Sequence, residues 1–432
     1  MIGSSDSSAG LVAAEASTSF RFPLAALTTL FFMWGFLTAL NDILIPHLKN
    51  VFELSYTQAM LIQFCFFGAY FAVSIPAGGL VAKLGYQRGL VLGLLVAGVG
   101  CFLFYPAASL RMYSLFLGAL FILATGITLL QVSANPYVTI LGPAATASSR
   151  LNMTQAFNSL GTTLAPFFGA FLILAVTPDL IDSSAVAASD AVVAARSEAD
   201  TVKLPYLLLG STLLVMAVTM ALLRLPVIAQ KLQAGQQNAP SAGSILGYRH
   251  LLLGALAIFI YVGAEVAIGS LLVSFIVEHG VVGINEQQAA HYVAYYWGGA
   301  LVGRFIGAWL MTRIAPGKLL AFNSSLASLL VLLAVVSGGK LAMIALLSVG
   351  LCNSIMFPTI FSLAIKDLGP QTSKGAGLVC AAIVGGALIP LLQGTLADTL
   401  GLQLSFLLPA CCYLYIIYYG LAGSRVISPT PP

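Results

Sequence analysis

The chain has 432 residues, 59% of them hydrophobic and only 7% charged, with a formal net charge of +4. A soluble globular chain carries roughly 25% charged residues, so a water-facing surface is excluded and lipid must solvate most of this one. The apolar runs are long and continuous rather than alternating in ten-residue segments, which argues against a transmembrane β-barrel.

Residues 1–21 are polar and Ser/Ala-rich, without a charged segment followed by an apolar core. They read as a disordered cytoplasmic tail, not a signal peptide. Twelve spans of about 20 residues are predicted at 22–45, 57–81, 89–108, 113–140, 152–176, 204–224, 250–277, 287–311, 318–337, 341–365, 375–396 and 402–423. Between the fifth and sixth lies an acidic connection, 177–203, with Asp179, Asp182, Asp190, Glu198 and Asp200. The polar stretch 225–249 falls at the midpoint and is read as a cytoplasmic linker. It divides an N-terminal six-helix half, 22–224, from a C-terminal half, 250–424, with a short tail at 425–432.

The six cysteines fall inside apolar runs and read as small core residues, not as a disulfide framework. The four histidines are scattered, so no metal site is predicted. No Walker-type glycine loop supports ATP-driven transport. No nucleophile–base pair is apparent, so no catalytic residue is assigned and an enzyme is not expected.

Charge orients the spans. If both termini are cytoplasmic, inner segments hold twelve of the Lys and Arg residues and outer segments five (Lys49, Arg111, Arg196, Lys203 and Lys340); Arg304 lies within a span. That asymmetry predicts both ends inside.

The two halves repeat. Lys83 and Arg313 are separated by the same interval as Arg88 and Lys318. At nearly that interval Leu141-Gly142-Pro143 recurs as Leu368-Gly369-Pro370, and Gly161 and Pro166 recur as Gly385 and Pro390. Several matches in order predict two homologous halves. The glycine-plus-basic loops after spans 2 and 8, with Gly79, Lys83, Arg88 and Arg313, resemble the signature loop of the major facilitator superfamily. The resemblance implies that fold, an all-α membrane protein of twelve transmembrane helices, with these loops in conformational gating.

Charge at membrane depth is costly, at least ~2.5 kcal/mol on insertion scales. Asp42 in span 1 and Glu265 in span 7 occupy equivalent helices of the two halves and are the candidate cation-coupling groups. A carboxyl partly removed from water holds its proton to higher pH, which would link protonation to binding. The alternatives are a helix cap for Asp42, with Pro46 following, and an ion pair with Arg304 for Glu265. Amides form a second constellation: Asn41, Gln63, Gln131, Asn135, Gln155, Asn158, Asn353 and Gln393, with Asn152 beside them. Asn and Gln both donate and accept, as sugar hydroxyls do; the bland alternative is interhelical bonding. Trp34, Tyr70, Tyr137, Trp297 and Phe357 are candidates to pack on a pyranose face.

Several of these segments resemble the fucose permease family. They are Phe32-Met33-Trp34-Gly35 with Asn41-Asp42-Ile43, then Ala134-Asn135-Pro136-Tyr137, and Arg150-Leu151-Asn152 with Gln155 to Gly161. Tyr261 to Val266 and Met356-Phe357-Pro358-Thr359 are more similar to the glucose/galactose permeases within it. The resemblance implies cation-coupled monosaccharide uptake by alternating access, with Asp42 at the position of the family's coupling aspartate. Fucose permease also uses a glutamate just before its Ala-Asn-Pro motif; this sequence has Gln131, which cannot titrate. The expected substrate is therefore a hexose of the glucose, galactose or mannose type. N-acetylglucosamine or fucose symport is the alternative within the family, and a drug or metabolite exporter or a sugar sensor the alternatives outside it. The expected partners are a monosaccharide, membrane lipid and a co-transported proton or sodium ion, with no cofactor and no nucleic acid. A monomer in a bacterial inner membrane is expected.

Overall fold

The computed structural model describes residues 21–51, 56–110, 112–176, 188–223, 225, 244–280 and 284–426, without side chains at 40–51, 56–61, 63, 166–176, 188–202, 279–280, 286–287 and 290. All but Arg21, Arg425 and Val426 of the two predicted tails and most of the linker at 225–249 thus lie outside the described residues. Within them the chain is helical almost throughout, as a backbone without water to bond must be.

Twelve rods follow in order: α1 (Arg21–Val51), α2 (Tyr56–Leu84), α3 (Tyr86–Leu110), α4 (Tyr113–Ile140), α5 (Ala147–Val176) and α6 (Ala188–Leu222) in the first half. The second half holds α7 (Arg249–Phe275), α8 (Glu286–Leu310), α9 (Pro316–Val336), α10 (Gly339–Ala364), α11 (Gly369–Leu400) and α12 (Leu402–Gly423). Ten of them are long and apolar enough, over their described residues, to cross a membrane. The other two, α5 and α8, carry the polar residues Asn152, Gln155 and Asn158, and Arg304, respectively.

One boundary differs from expectation. The sixth span was expected from 204, yet α6 begins at Ala188. The segment 188–203 is too polar for a bilayer core but rich in alanine, the strongest helix former. Hydropathy therefore missed a helical extension that backbone propensity favours.

The repeat is visible in the packing. Helix α1 packs on α5 as α7 packs on α11; α3 packs on α4 and α6 as α9 packs on α10 and α12; and α2 packs on α4 as α8 packs on α10. Across the halves, α2 meets α11 as α8 meets α5. A Cβ at Gly161 would strike the carbonyl of Phe32, and one at Gly385 the carbonyl of Phe259. Phe32 and Phe259 are themselves separated by the same interval as Leu141 and Leu368, so the same backbone approach is built twice. Gly142 (φ +119°), between α4 and α5, and Gly369 (φ +53°), at the first position of α11, both take left-handed conformations, a backbone that favours glycine.

The outer surface is apolar. Leu208, Val215 and Leu222 on α6 are exposed at seven-residue intervals, as are Phe322, Leu329 and Val336 on α9. Seven residues are about two turns, so each trio forms a stripe along one face, suited to lipid.

Candidate substrate and coupling site

Two polar clusters sit inside the bundle, one in each half. In the first, Gln131 Nε2 donates to the Tyr70 hydroxyl at 2.8 Å. Asn135 Nδ2 donates to Gln131 Oε1 at 3.5 Å, and Gln155 Nε2 to Asn135 Oδ1 at 3.3 Å. The spacing of four between Gln131 and Asn135 puts both on one face of α4, and α2 and α5 supply the two ends. Three of the predicted sugar-binding amides therefore form one continuous chain. Asn135 and Gln155 are buried and Gln131 half-buried.

In the second half, Asn353 is fully buried among three tyrosines. It donates to the Tyr296 hydroxyl at 2.8 Å and accepts from Tyr413 at 2.8 Å, while its carbonyl accepts from Tyr261 at 3.1 Å. The Tyr296 hydroxyl also lies 3.5 Å from the carbonyl of Glu265. Glu265 is half-buried and stands within electrostatic range of Tyr261 and Arg304.

Arg304 links the clusters. Its Nη1 donates to the Gln155 carbonyl at 3.3 Å and to the Ser159 hydroxyl, both on α5, and its Nε to the Ser354 carbonyl at 3.1 Å. Ser354 is four residues before Pro358, which has no N–H to return to that carbonyl. The break in α10 between Asn353 and Met356 thus leaves an acceptor that Arg304 fills. Arg304 thus stands within electrostatic range of Glu265 while its hydrogen bonds go to α5 and to the Ser354 carbonyl of its own half.

The halves also meet at the end bearing Lys83, Arg313 and Lys374, called here the basic end. Ser148 Oγ and Ser362 Oγ are 2.7 Å apart, Ser149 donates to the Ala308 carbonyl at 2.6 Å, and Ser373 to the Tyr86 hydroxyl at 3.0 Å. Asn152 Nδ2 reaches Thr359 Oγ1 at 3.2 Å. A Cβ at Gly78 would lie 2.7 Å from the Ser373 carbonyl, so glycine permits α2 to rest on α11. These contacts hold the two halves together at the basic end.

The remaining expected residues are distributed as follows. Asn41, Asp42 and Gln63 lie on α1 and α2, but their side chains are outside the described residues. Asn158 Nδ2 donates to the Phe31 carbonyl at 2.9 Å, fastening α5 to α1. Gln393 is buried against Ser405, with 3.4 Å between Nε2 and Oγ, and its Oε1 has no partner. Asn353 is occupied by its tyrosines, so it supports the cluster from within. Gly79 is half-buried with open space at its Cα, Lys83 and Arg88 are exposed, and the Arg313 guanidinium lies 4.5 Å above the Trp309 ring.

The aromatics divide too. Trp34 is buried with Leu37, Cys101 and Leu213 around a small apolar cavity within its own half, and Tyr137 stacks on Tyr86 at 5.6 Å. Phe357 packs on Phe361 at 6.0 Å. Trp297, by contrast, is exposed and lies two turns before Arg304 on the same face of α8. Sequence reasoning overlooked Ser159 and the hydroxyls of Tyr261, Tyr296 and Tyr413. Only Pro358, four residues after Ser354, gave a readable signal for the arginine site.

The chain matches the model of the Major Facilitator Superfamily over residues 25–379. It is 58% identical over 407 residues to the glucose/galactose transporter of Brucella abortus, covering 94% of this chain and 95% of that one. It is 48% identical over 419 residues to the putative glucose/galactose transporter of Helicobacter pylori, covering 94% and 98%. With the L-fucose-proton symporter of Escherichia coli it shares 36% over 417 residues, covering 95% and 94%. The crystal structure of the major facilitator transporter FucP in the outward conformation superposes with a TM-score of 0.85 at 35% identity, covering 94% of this chain and all of that one. With its twelve helices, its repeated packing and these matches, the chain belongs to the major facilitator superfamily.

Proposed function

We propose that the protein is a secondary active sugar transporter that takes up a hexose of the glucose or galactose type together with a proton or sodium ion, by alternating access. The observation that carries this reading is the polar chain Tyr70–Gln131–Asn135–Gln155, which Arg304 of the other half meets at the Gln155 carbonyl, with Glu265 within electrostatic range of that arginine. Amides and hydroxyls suit a ligand whose every polar group both donates and accepts. A carboxyl at membrane depth gives a cation a place beside it. The printed names of the relatives support a monosaccharide, and the higher identity to the glucose/galactose transporters favours a hexose over fucose. Gln131 supports the same choice, since it binds a hydroxyl without titrating.

In this reading the protein lies in a bacterial inner membrane with its basic end, by the excess of Lys and Arg in inner loops, and both termini on the cytoplasmic side. The sealed contacts at that end then belong to an outward-facing state, and rocking of the halves exposes the site to the cytoplasm. The loops with Gly79, Lys83, Arg88 and Arg313 serve that motion. Asp42 is the principal coupling group and Glu265 the second.

The test is Asp42→Asn in proteoliposomes. The expected variant exchanges labelled hexose across the membrane but no longer accumulates it against a gradient. Accumulation equal to that of the parent would remove Asp42 from coupling. Purified protein stabilised against heat by lipophilic cations, and not by hexoses, would favour an exporter instead.

A further inference from the structure

The polar bonds between the halves at the basic end are neutral: Ser148 with Ser362, Ser149 with a carbonyl, Asn152 with Thr359, and Tyr86 with Ser373. Arg304 differs. It brings a permanent positive charge to α5, through the Gln155 carbonyl and the Ser159 hydroxyl. It is also within electrostatic range of Glu265 on its own side. The other groups facing Glu265 are the phenols of Tyr261, Tyr296 and Tyr413, which are neutral hydroxyls. Arg304 is thus the cation beside this carboxyl among the described residues.

The guanidinium is anchored at one corner and shared at the other. Its Nε is fixed by the Ser354 carbonyl, the acceptor that Pro358 leaves open. Its Nη1 faces α5. The two partners on α5 are neutral acceptors, and a carboxylate is a stronger acceptor for an arginine than either.

We propose that Arg304 is a positioning residue that latches the halves inside the bundle, behind the basic end, and that the charge on Glu265 sets the hold of this latch. With Glu265 neutralised by a bound cation, Arg304 gives its Nη1 fully to Gln155 and Ser159 and the end stays sealed. With Glu265 ionised and bare, the carboxylate draws the guanidinium away from α5 and the seal loosens. The proposal rests on the reading of Glu265 as a coupling acid. It assigns to Arg304 the step between ion occupancy and movement, and makes cation arrival on Glu265 favour the sealed, outward-facing state.

The experiment measures the basic-end distance by electron–electron resonance with spin labels at the exposed positions Leu84 and Ile314, one in each half, in a Cys411→Ser background, without sugar and at fixed pH. Arg304→Met is expected to raise the open population by about threefold or more, the change that one bond of average strength in a membrane protein gives. Arg304→Lys is expected to restore part of the seal. Glu265→Gln is expected to lower the open population, and to do nothing further once Arg304 is Met. An unchanged distance distribution in Arg304→Met, or an equal effect of Glu265→Gln in both backgrounds, overturns the proposal. Ser159→Ala, which removes one acceptor and leaves every charge in place, is the second variant should Arg304→Met fail to fold; a distance distribution like the parent's would overturn the latch there. Failure of the transport reading shows separately, as absence of hexose accumulation by the parent protein.

Discussion

Asn353 offers a direct way to separate sugar binding from support. Its side chain donates to Tyr296 and accepts from Tyr413, each at 2.8 Å, in a fully buried cluster. Asn353→Leu removes both bonds at little change in volume. The Tyr261 hydroxyl keeps the backbone carbonyl of residue 353, and the Tyr296 hydroxyl keeps the Glu265 carbonyl at 3.5 Å. Tyr413 is left without its partner. An average bond in a membrane interior contributes about 0.6 kcal/mol, and a stranded buried hydroxyl costs about 1–3 kcal/mol. The expected loss is therefore about 2–4 kcal/mol of stability, read from denaturation of the purified protein in detergent. Hexose affinity, measured by titration on the fraction that remains folded, should stay within about twofold of the parent, because the bonds of Asn353 all go to tyrosines of its own half. A variant of parental stability with affinity reduced tenfold or more would refute this reasoning and return Asn353 to the sugar.

Three further outcomes follow from the geometry. Gly385→Ala should abolish folded protein, since its Cβ would meet the Phe259 carbonyl, whereas Gly394→Ala, which meets nothing within 4 Å, should melt within a degree or two of the parent. Arg150 donates to the carbonyls of Val138, Thr139 and Pro143 at 3.3, 2.7 and 2.7 Å, satisfying the end of α4; Arg150→Met should cost roughly 3 kcal/mol or more, as several charge-assisted bonds are lost together, and should speed amide exchange across residues 138–147. Gln131→Glu places a titratable carboxyl on the Tyr70 hydroxyl and should make hexose uptake fall as external pH rises. A pH profile parallel to the parent's would show that residue 131 stays outside the proton's path.

The architecture was largely written in the sequence because its signals are one-dimensional. Lipid demands long apolar runs, and a duplicated half leaves the same glycines and prolines at a nearly constant interval along the chain. The backbone approach at Gly161 and Gly385 is that duplication in three dimensions. The early start of α6 escaped because alanine favours a helix without being very apolar. The site was legible only in part. Spacing placed Gln131 and Asn135 on one face of α4, and the structure joins them to Gln155 and Tyr70. Whether an amide points at a cleft, a neighbouring helix or a tyrosine depends on rotation about the helix axis, which composition does not encode. Asn158, Asn353 and Gln393 were indistinguishable from Gln131 by residue type, yet they bond α1, three tyrosines and Ser405. Arg304 was readable as a charge near Glu265, but its hydrogen-bond acceptors were not: one is a carbonyl that Pro358 sets free and the others lie on α5.

The central claim is gradient-driven hexose uptake, and proteoliposome transport tests it most directly. Purified protein reconstituted alone, given labelled glucose or galactose and an imposed inward proton or sodium gradient, should concentrate the sugar above its external level and lose that accumulation when the gradient is collapsed. Equilibration to the external level and no further, under both gradients and with every hexose tried, would contradict the account.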